Sequence, residues 1–180
     1  MSDLTDELAR LERFLVELDR PVVANLLPGL DVTAIDSPLG ELPQGVVEWF
    51  AWHNGVGGER GQTIEEASLI PDYMLISFEE ALRQISVYAG DPVLGDFWLP
   101  IMENGGSDIY AAVWSPGSEA RVARFIVGED TEIDFENLVN MVRMFNACYD
   151  SGVYFVGDDG FIDIAGDRYE EIYARYALHA

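Results

Sequence analysis

Few side chains in this sequence are of the types that bind zinc or act as a nucleophile. The candidates are two histidines and one cysteine, His53, His179 and Cys148, which lie far apart along the chain. Zinc sites need three or four such ligands, usually at close spacing. Cys148 falls within the apolar stripe of a predicted helix, where a thiol packs as a small apolar group. We therefore expect neither a metal site nor a cysteine nucleophile.

Motifs that cradle a phosphate or activate a serine are missing from the sequence. The chain contains no lysine, which a P-loop requires, and no Gly-x-Ser-x-Gly segment. The glycines of residues 55–61 have Arg60 where a dinucleotide-binding fingerprint has glycine. We interpret residues 55–61 as a flexible connection and expect no cofactor.

Carboxylates are the abundant reactive groups of the chain. A pair of them could act as general acid and base in an acidic hydrolase, with Glu103, Asp108 and Asp163 as candidates, but this chemistry needs a buried acid with a shifted pKa. Asp158, Asp159 and Asp163 lack the alternating ligands and the terminal glutamate of a calcium loop. We interpret this second cluster as a solvated hairpin turn.

The acidic residues are better suited to binding another protein. Five of them lie within eight residues, 129–136, ahead of a predicted helix, where acids also favour the helix itself. Trp52 is a candidate aromatic anchor, although its spacing from Trp49 also allows both to pack in the core. The predicted partner-binding residues are Glu103, Asp108, Glu129, Asp130, Glu132, Asp158, Asp159 and Trp52.

Helices are predicted where apolar residues recur at spacings of three and four. The leucines of residues 4–18 form one face of a first helix, and a second runs from Pro43 to Asn54-Gly55, with His53 at its C-terminal end. Ser77 and Glu80 have the spacing of a capping box. Asp134 is predicted to cap a helix with the apolar stripe Phe135, Leu138, Val139, Val142, Phe145 and Tyr149, and a last helix begins near Asp167.

Strands are predicted between these helices. Residues 97–114 have the pattern of two strands joined by a turn, 121–127 of a third, and 153–164 of a hairpin around Asp159-Gly160. The order of elements predicts a single α+β domain over residues 1–180, with helices packed around a mixed, largely antiparallel sheet.

The charge of the chain limits its partners. Acidic residues number 33 and basic residues 10, all of them arginine, which gives a net charge of −23. Such a surface repels phosphate backbones and anionic lipid headgroups, so we expect no nucleic-acid or membrane partner and favour a basic protein. A single cysteine and a start without a basic and apolar signal region predict a cytoplasmic protein. Solubility alone could also account for the charge.

Four short motifs follow one another within residues 4–150. They are Leu42-Pro43 with Trp49-Phe50 and Asn54-Gly55, Ile70-Pro71 with Ser77-Phe78-Glu79-Glu80, Trp98-Leu99-Pro100-Ile101 with Gly105-Gly106-Ser107-Asp108, and Asp134-Phe135 with Leu138. In this order the motifs resemble those of the SUKH superfamily, the Smi/Knr-like domain. Ser107 departs from the pattern by separating the glycine pair from Asp108, and residues 151–180 have no counterpart in the family.

The resemblance implies an α+β fold without enzymatic activity. Bacterial members are mostly immunity proteins that neutralise toxins, often nucleases, and fungal members are scaffolds. We therefore expect an immunity protein that covers the active cleft of a cognate basic toxin. A regulatory scaffold of the same fold is the first alternative, and an acidic hydrolase is the second.

Overall fold

The described part of the chain, residues 2–34, 37–58 and 62–178 of a computed structural model, contains six α-helices, nine strands and two short 3-10 helices, Pro21–Asn25 and Val32–Ala34. The helices are α1 (Asp3–Glu17), α2 (Gln44–Trp52), α3 (Ile64–Ala67), α4 (Phe78–Gln84), α5 (Leu138–Asp150) and α6 (Gly166–Tyr176). The strands are β1 (Leu26–Pro28), β2 (His53–Val56), β3 (Met74–Leu75), β4 (Trp98–Glu103), β5 (Ile109–Val113), β6 (Arg121–Phe125), β7 (Glu132–Phe135), β8 (Tyr154–Val156) and β9 (Ile162–Ile164).

The predicted leucine face of α1 is buried in the core. The leucines concerned are Leu4, Leu8, Leu11 and Leu15. Leu18, the fifth of the pattern, follows the last residue of the helix and is 38% exposed. Ser2 caps the start, because its Oγ accepts a hydrogen bond from the backbone N–H of Thr5 at 3.2 Å.

Three helices begin at the same end of the molecule. Helices α1 and α5 run parallel, since Arg143 in α5 binds Asp3 at the start of α1 at 3.1 Å and Asp150 at the end of α5 binds Arg10. The first residues of α2 adjoin those of the other two helices around one surface cavity of about 280 Å³. The cavity residues from the three helix starts are Ser2, Asp3, Leu4, Gln44, Gly45, Asn137, Leu138 and Val139.

The main sheet has the strand order β3-β4-β5-β6-β7, and each neighbouring pair is antiparallel. One face packs against the helices through residues such as Leu99, Tyr110 and Val122. The other face is covered by the segment after α4, where Leu94 packs with Trp98. Both faces are therefore buried, which explains why β4 and β5 are apolar almost throughout rather than alternating.

The predicted helix cap at Asp134 is wrong. Residues Glu132–Phe135 form β7, in which Phe135 pairs with Val122, and Asp134 is a buried strand residue. Helix α5 begins three residues later than expected, and the side chain of Asn137 caps it by accepting from the N–H of Asn140 at 2.9 Å. A short strand followed directly by a helix places apolar residues at mixed spacings, which the helical pattern alone did not separate.

Two further boundaries differ from the prediction. His53 is the C-cap of α2, as predicted, but it also begins β2, so the helix ends before Asn54-Gly55. Gly55 and Val56 belong to this strand rather than to a flexible connection. Glu59 to Gly61 and His179 lie outside the described residues. Ser77 caps α4 as predicted by accepting from the N–H of Glu80. The carboxylate of Glu80, however, accepts hydrogen bonds from Arg83 and Gln84 rather than completing the box.

The C-terminal hairpin and helix are confirmed. Strands β8 and β9 pair around the turn at residues 157–160, and α6 packs against α5. Tyr154, Tyr169 and Tyr173 stack in series between these elements. The whole is one α+β domain, as predicted, and its described strand pairs are all antiparallel.

Candidate protein-binding surface

Two turns meet at one end of the main sheet. In the turn after β4, the side chain of Asn104 accepts from the N–H groups of Gly106 and Asp108 at 2.8 and 2.9 Å. The carboxylate of Asp108 accepts from the amide of Asn104 at 2.7 Å and from the N–H of Val127, after β6, at 2.9 Å. Asp108 therefore holds the two turns together.

The second turn and the first residue of β7 contribute three exposed acids. Glu129, Asp130 and Glu132 line a cavity of about 240 Å³ together with Arg124 and Ile126. With Glu103 and Asp108 they form one acidic group, which we call the acidic end of the sheet. Of the eight residues predicted to bind a partner, the structure places five at this same end of the main sheet: Glu103, Asp108, Glu129, Asp130 and Glu132.

Glu103 is the least accessible acid of this group. It is half-buried and accepts a hydrogen bond from the amide of Gln84 at 2.5 Å. Burial raises the pKa of Glu103, and the nearby carboxylate of Glu80 raises it further, against the opposing effect of Gln84. Its contact with α4 gives Glu103 a structural role beside any role in binding.

Arg124 is the basic residue among these acids, and the fold itself offsets its charge. Its Nε lies 3.0 Å from Oδ2 of the buried Asp134, and its guanidinium lies over the ring of Tyr173. Burial lowers the pKa of Arg124, but Asp134 and the neighbouring tyrosines outweigh that effect and leave the pKa raised. Arg124 consequently stays charged and faces a carboxylate of its own chain.

The predicted acids Asp158 and Asp159 lie at the exposed tip of the β8–β9 hairpin. Asp159 accepts from the N–H of Phe161 at 3.2 Å and so supports the turn, in agreement with the prediction of a solvated turn. The tip is anchored by Arg20, which is only 4% exposed and donates to the carbonyls of Gly160 at 2.5 Å and Glu65 at 2.8 Å. Helix α3 therefore lies directly beside the hairpin.

A groove separates the hairpin from the segment around α3. Its volume is about 210 Å³, and its walls consist of Glu65, Ser68, Pro71 and Asp72 on one side and Phe161, Ile162, Asp163 and Ile164 on the other. Ile64, which precedes Glu65 in α3, packs against Gly105 of the turn after β4. A Cβ added at Gly105 would lie 2.1 Å from Cδ1 of Ile64. The groove thus adjoins the acidic end of the sheet.

Three residues of this region were not predicted from the sequence: Arg20, Glu65 and Asp72. Arg20 directly precedes a proline after α1 and has the appearance of an ordinary exposed helix end. Glu65 and Asp72 belong to short elements whose position depends on contacts with distant parts of the chain. No local pattern distinguishes these residues from other surface acids.

Trp52 is not brought together with the acids. Its indole N–H donates to Oε2 of Glu12 at 2.9 Å, and its ring packs against Trp49 and His53. It is half-buried beside α1. This position accords with the packing interpretation of the two tryptophans, and a contact with a partner stays a prediction.

Within residues 2–34, 37–58 and 62–178, no three His, Cys, Asp or Glu side chains are arranged to hold a metal ion. No helix in the same ranges combines the length and apolar character needed to cross a membrane.

No protein-family model matches the chain, and no curated protein matches it in sequence. The resemblance to the SUKH superfamily therefore rests on the order of the motifs within residues 4–150.

Proposed function

We propose that this protein is an immunity protein of the SUKH type, which neutralises a cognate basic toxin by covering its active cleft. The observation that carries the proposal is the grouping of Asp108, Glu129, Asp130 and Glu132, from two turns and the start of β7, at the acidic end of the sheet. The motif order and the net charge of −23 support the same function.

The physical basis is competition for a positive cleft. A nuclease presents basic side chains to hold phosphates, and fixed carboxylates of opposite charge can occupy the same positions. Two turns held together by backbone and side-chain hydrogen bonds keep such carboxylates in place before the partner arrives, which lowers the entropic cost of binding. Several arginines elsewhere are already paired within the chain, as in Arg10 with Asp150 and Arg143 with Asp3.

The test begins with affinity capture at low and at moderate salt, followed by identification of basic proteins in the captured fraction. Each such protein is then purified, and its activity is measured with and without the acidic protein. We expect inhibition at equimolar ratio and an association rate that falls as salt increases. A captured set of housekeeping proteins that the protein does not inhibit would instead favour the scaffold alternative.

The contribution of the acidic end is measured with a triple variant, Glu129→Gln, Asp130→Asn and Glu132→Gln. The matched control is Glu17→Gln, Asp96→Asn and Glu41→Gln, which removes the same charge at exposed positions elsewhere. We expect the association rate at low salt to fall about tenfold in the first variant and much less in the control. Equal rates for the two variants would assign the attraction to net charge alone.

A further inference from the structure

Strand β9 is an edge of its sheet. The sheet contains two strands, β8 and β9, and β9 borders the groove beside α3. Four consecutive residues, 161–164, line that groove. Because side chains alternate between the two faces of a strand, a wall formed by four consecutive residues runs along the strand edge rather than across one face.

The backbone of β9 points hydrogen-bonding groups into the groove. The N–H of Gly157 donates to the carbonyl of Phe161 at 2.8 Å, and the N–H of Ala165 donates to that of Val153 at 2.9 Å. In an antiparallel pair, residues that bond across the ladder alternate with residues whose backbone groups point outward. The N–H and C=O groups of Ile162 and Ile164 therefore point away from β8, towards the groove.

The side chains along this edge alternate between apolar and acidic. Ile162 and Ile164 lie on one face of β9, and Asp163 lies on the other. Ile164 is 45% exposed. The opposite wall repeats the mixture with Pro71 and Asp72.

The surface of the groove is acidic. Glu65, Asp72 and Asp163 line it, and Asp158 and Asp159 stand at the neighbouring tip. The nearby base, Arg20, is buried and donates to two backbone carbonyls. A ligand in the groove meets carboxylates with little compensation from arginine.

We propose that β9 binds an extended basic segment of a partner protein as an added strand. Backbone groups of the segment pair with Ile162 and Ile164, its apolar side chains lie beside these isoleucines, and its alternate basic side chains face Asp163. The basic character of the segment rests on the proposed function, whereas the strand-addition geometry rests on the edge itself. Acids along an exposed edge can also serve only to prevent self-association, and the experiment distinguishes the two roles.

The experiment uses a short blocked peptide of alternating arginine and valine as the probe. Amide hydrogen exchange of the intact protein is measured with and without the peptide. We expect exchange at Ile162 and Ile164 to slow by about tenfold or more, because new backbone bonds protect these two N–H groups. Two N-methylated peptides serve as controls: methylation of the amides that face β9 should abolish protection, and methylation of the alternate amides should preserve it.

A charge variant completes the test. Glu65→Gln, Asp72→Asn and Asp163→Asn should weaken peptide binding about tenfold relative to the control Glu17→Gln, Asp6→Asn and Asp96→Asn. Unchanged exchange at Ile162 and Ile164 at saturating peptide, or equal loss with both methylated peptides, would overturn the proposal. If the variant with Glu65, Asp72 and Asp163 replaced self-associates, and the peptide does not slow amide exchange in the unmodified protein, the acids serve only to prevent self-association of the edge.

The proposed function and this inference can fail separately. If a basic protein is captured and inhibited while Ile162 and Ile164 stay unprotected in that complex, the inhibition stands and the strand addition is wrong. If the peptide protects both amides but no inhibited protein is found, the groove binds basic strands in some other biological role.

Discussion

The acidic residues of this protein differ in how much their ionisation lowers the stability of the fold. Most are exposed, but Glu103 is half-buried against Gln84, with Glu80 nearby. Its raised pKa means that the folded protein holds the proton more tightly than the unfolded chain does. Its contribution to stability is therefore greatest at low pH and is lost as pH rises from the unfolded pKa through the folded one.

The substitution Glu103→Gln tests this cost. Glutamine keeps an oxygen that can accept from Gln84 and removes the unfavourable charge, so at pH 7 it should raise the free energy of unfolding by about 0.5 kcal/mol. The gain should disappear below about pH 3, where the carboxyl of both states is protonated. Urea unfolding of both proteins at the two pH values measures this difference in the free energy of unfolding. A gain that persists in acid would show that the charge of Glu103 is not its cause.

Cys148 provides a second test at the residue scale. Burial raises the pKa of its thiol to about 12, against a smaller opposing effect of Tyr154. Since the thiolate is the reactive form, alkylation of the folded protein at pH 8 should be slower than that of the denatured chain by about a hundredfold or more. Rates measured with iodoacetamide in buffer and in urea decide this, and comparable rates would show that the helix α5 face is open to solvent.

Elements with a single repeated pattern could be predicted from the sequence. The leucine spacing of α1, the turn between β4 and β5 and the β8–β9 hairpin each follow from local chemistry, and the structure contains all of them. The start of α5 could not be found in this way, because β7 and the helix share one apolar run and Asp134 is as good a cap by composition as Asn137.

The surface was less predictable than the elements. That the acids of two turns would meet depends on the register of β5 with β6, which places Ile109 opposite Phe125. The groove beside β9 depends on Arg20, 140 residues before Gly160 in the chain. Such long-range contacts leave no periodic signal in a single sequence.

The link between the hairpin and α3 gives a test at the element scale. Arg20→Ala removes two charge-assisted hydrogen bonds to Gly160 and Glu65, which should lower the free energy of unfolding by about 2–3 kcal/mol. Amide exchange should accelerate most in β8 and β9. The control Arg13→Ala, at an exposed position of α1, should cost about 0.5 kcal/mol or less; similar costs for both variants would mean that Arg20 does not anchor the tip.

At the scale of the whole molecule, like charges repel one another across a surface with 33 acids and 10 bases. This repulsion opposes compactness, and dissolved ions reduce it. The protein thus combines two well-buried sheet faces with an exterior that works against folding at low ionic strength.

Thermal unfolding should reveal this repulsion. Between about 0.01 and 0.15 M NaCl the screening length falls from about 30 to about 8 Å, so the Tm should rise by a few degrees. The variant with Glu129, Asp130 and Glu132 converted to amides should show a smaller rise. A Tm that is independent of salt in the unmodified protein would show that self-repulsion contributes little.

The shared starting point of α1, α2 and α5 has one more effect. Each helix carries about half a positive elementary charge at its start and half a negative one at its end. The last turn of α5 lies beside Leu69 through Tyr149, and the chain just after α1 reaches Glu65 through Arg20. The two negative helix ends thus lie near the groove that Glu65, Asp72 and Asp163 line. The fields of the two helix ends add to that of these carboxylates, so a cation placed in the groove would be attracted by both.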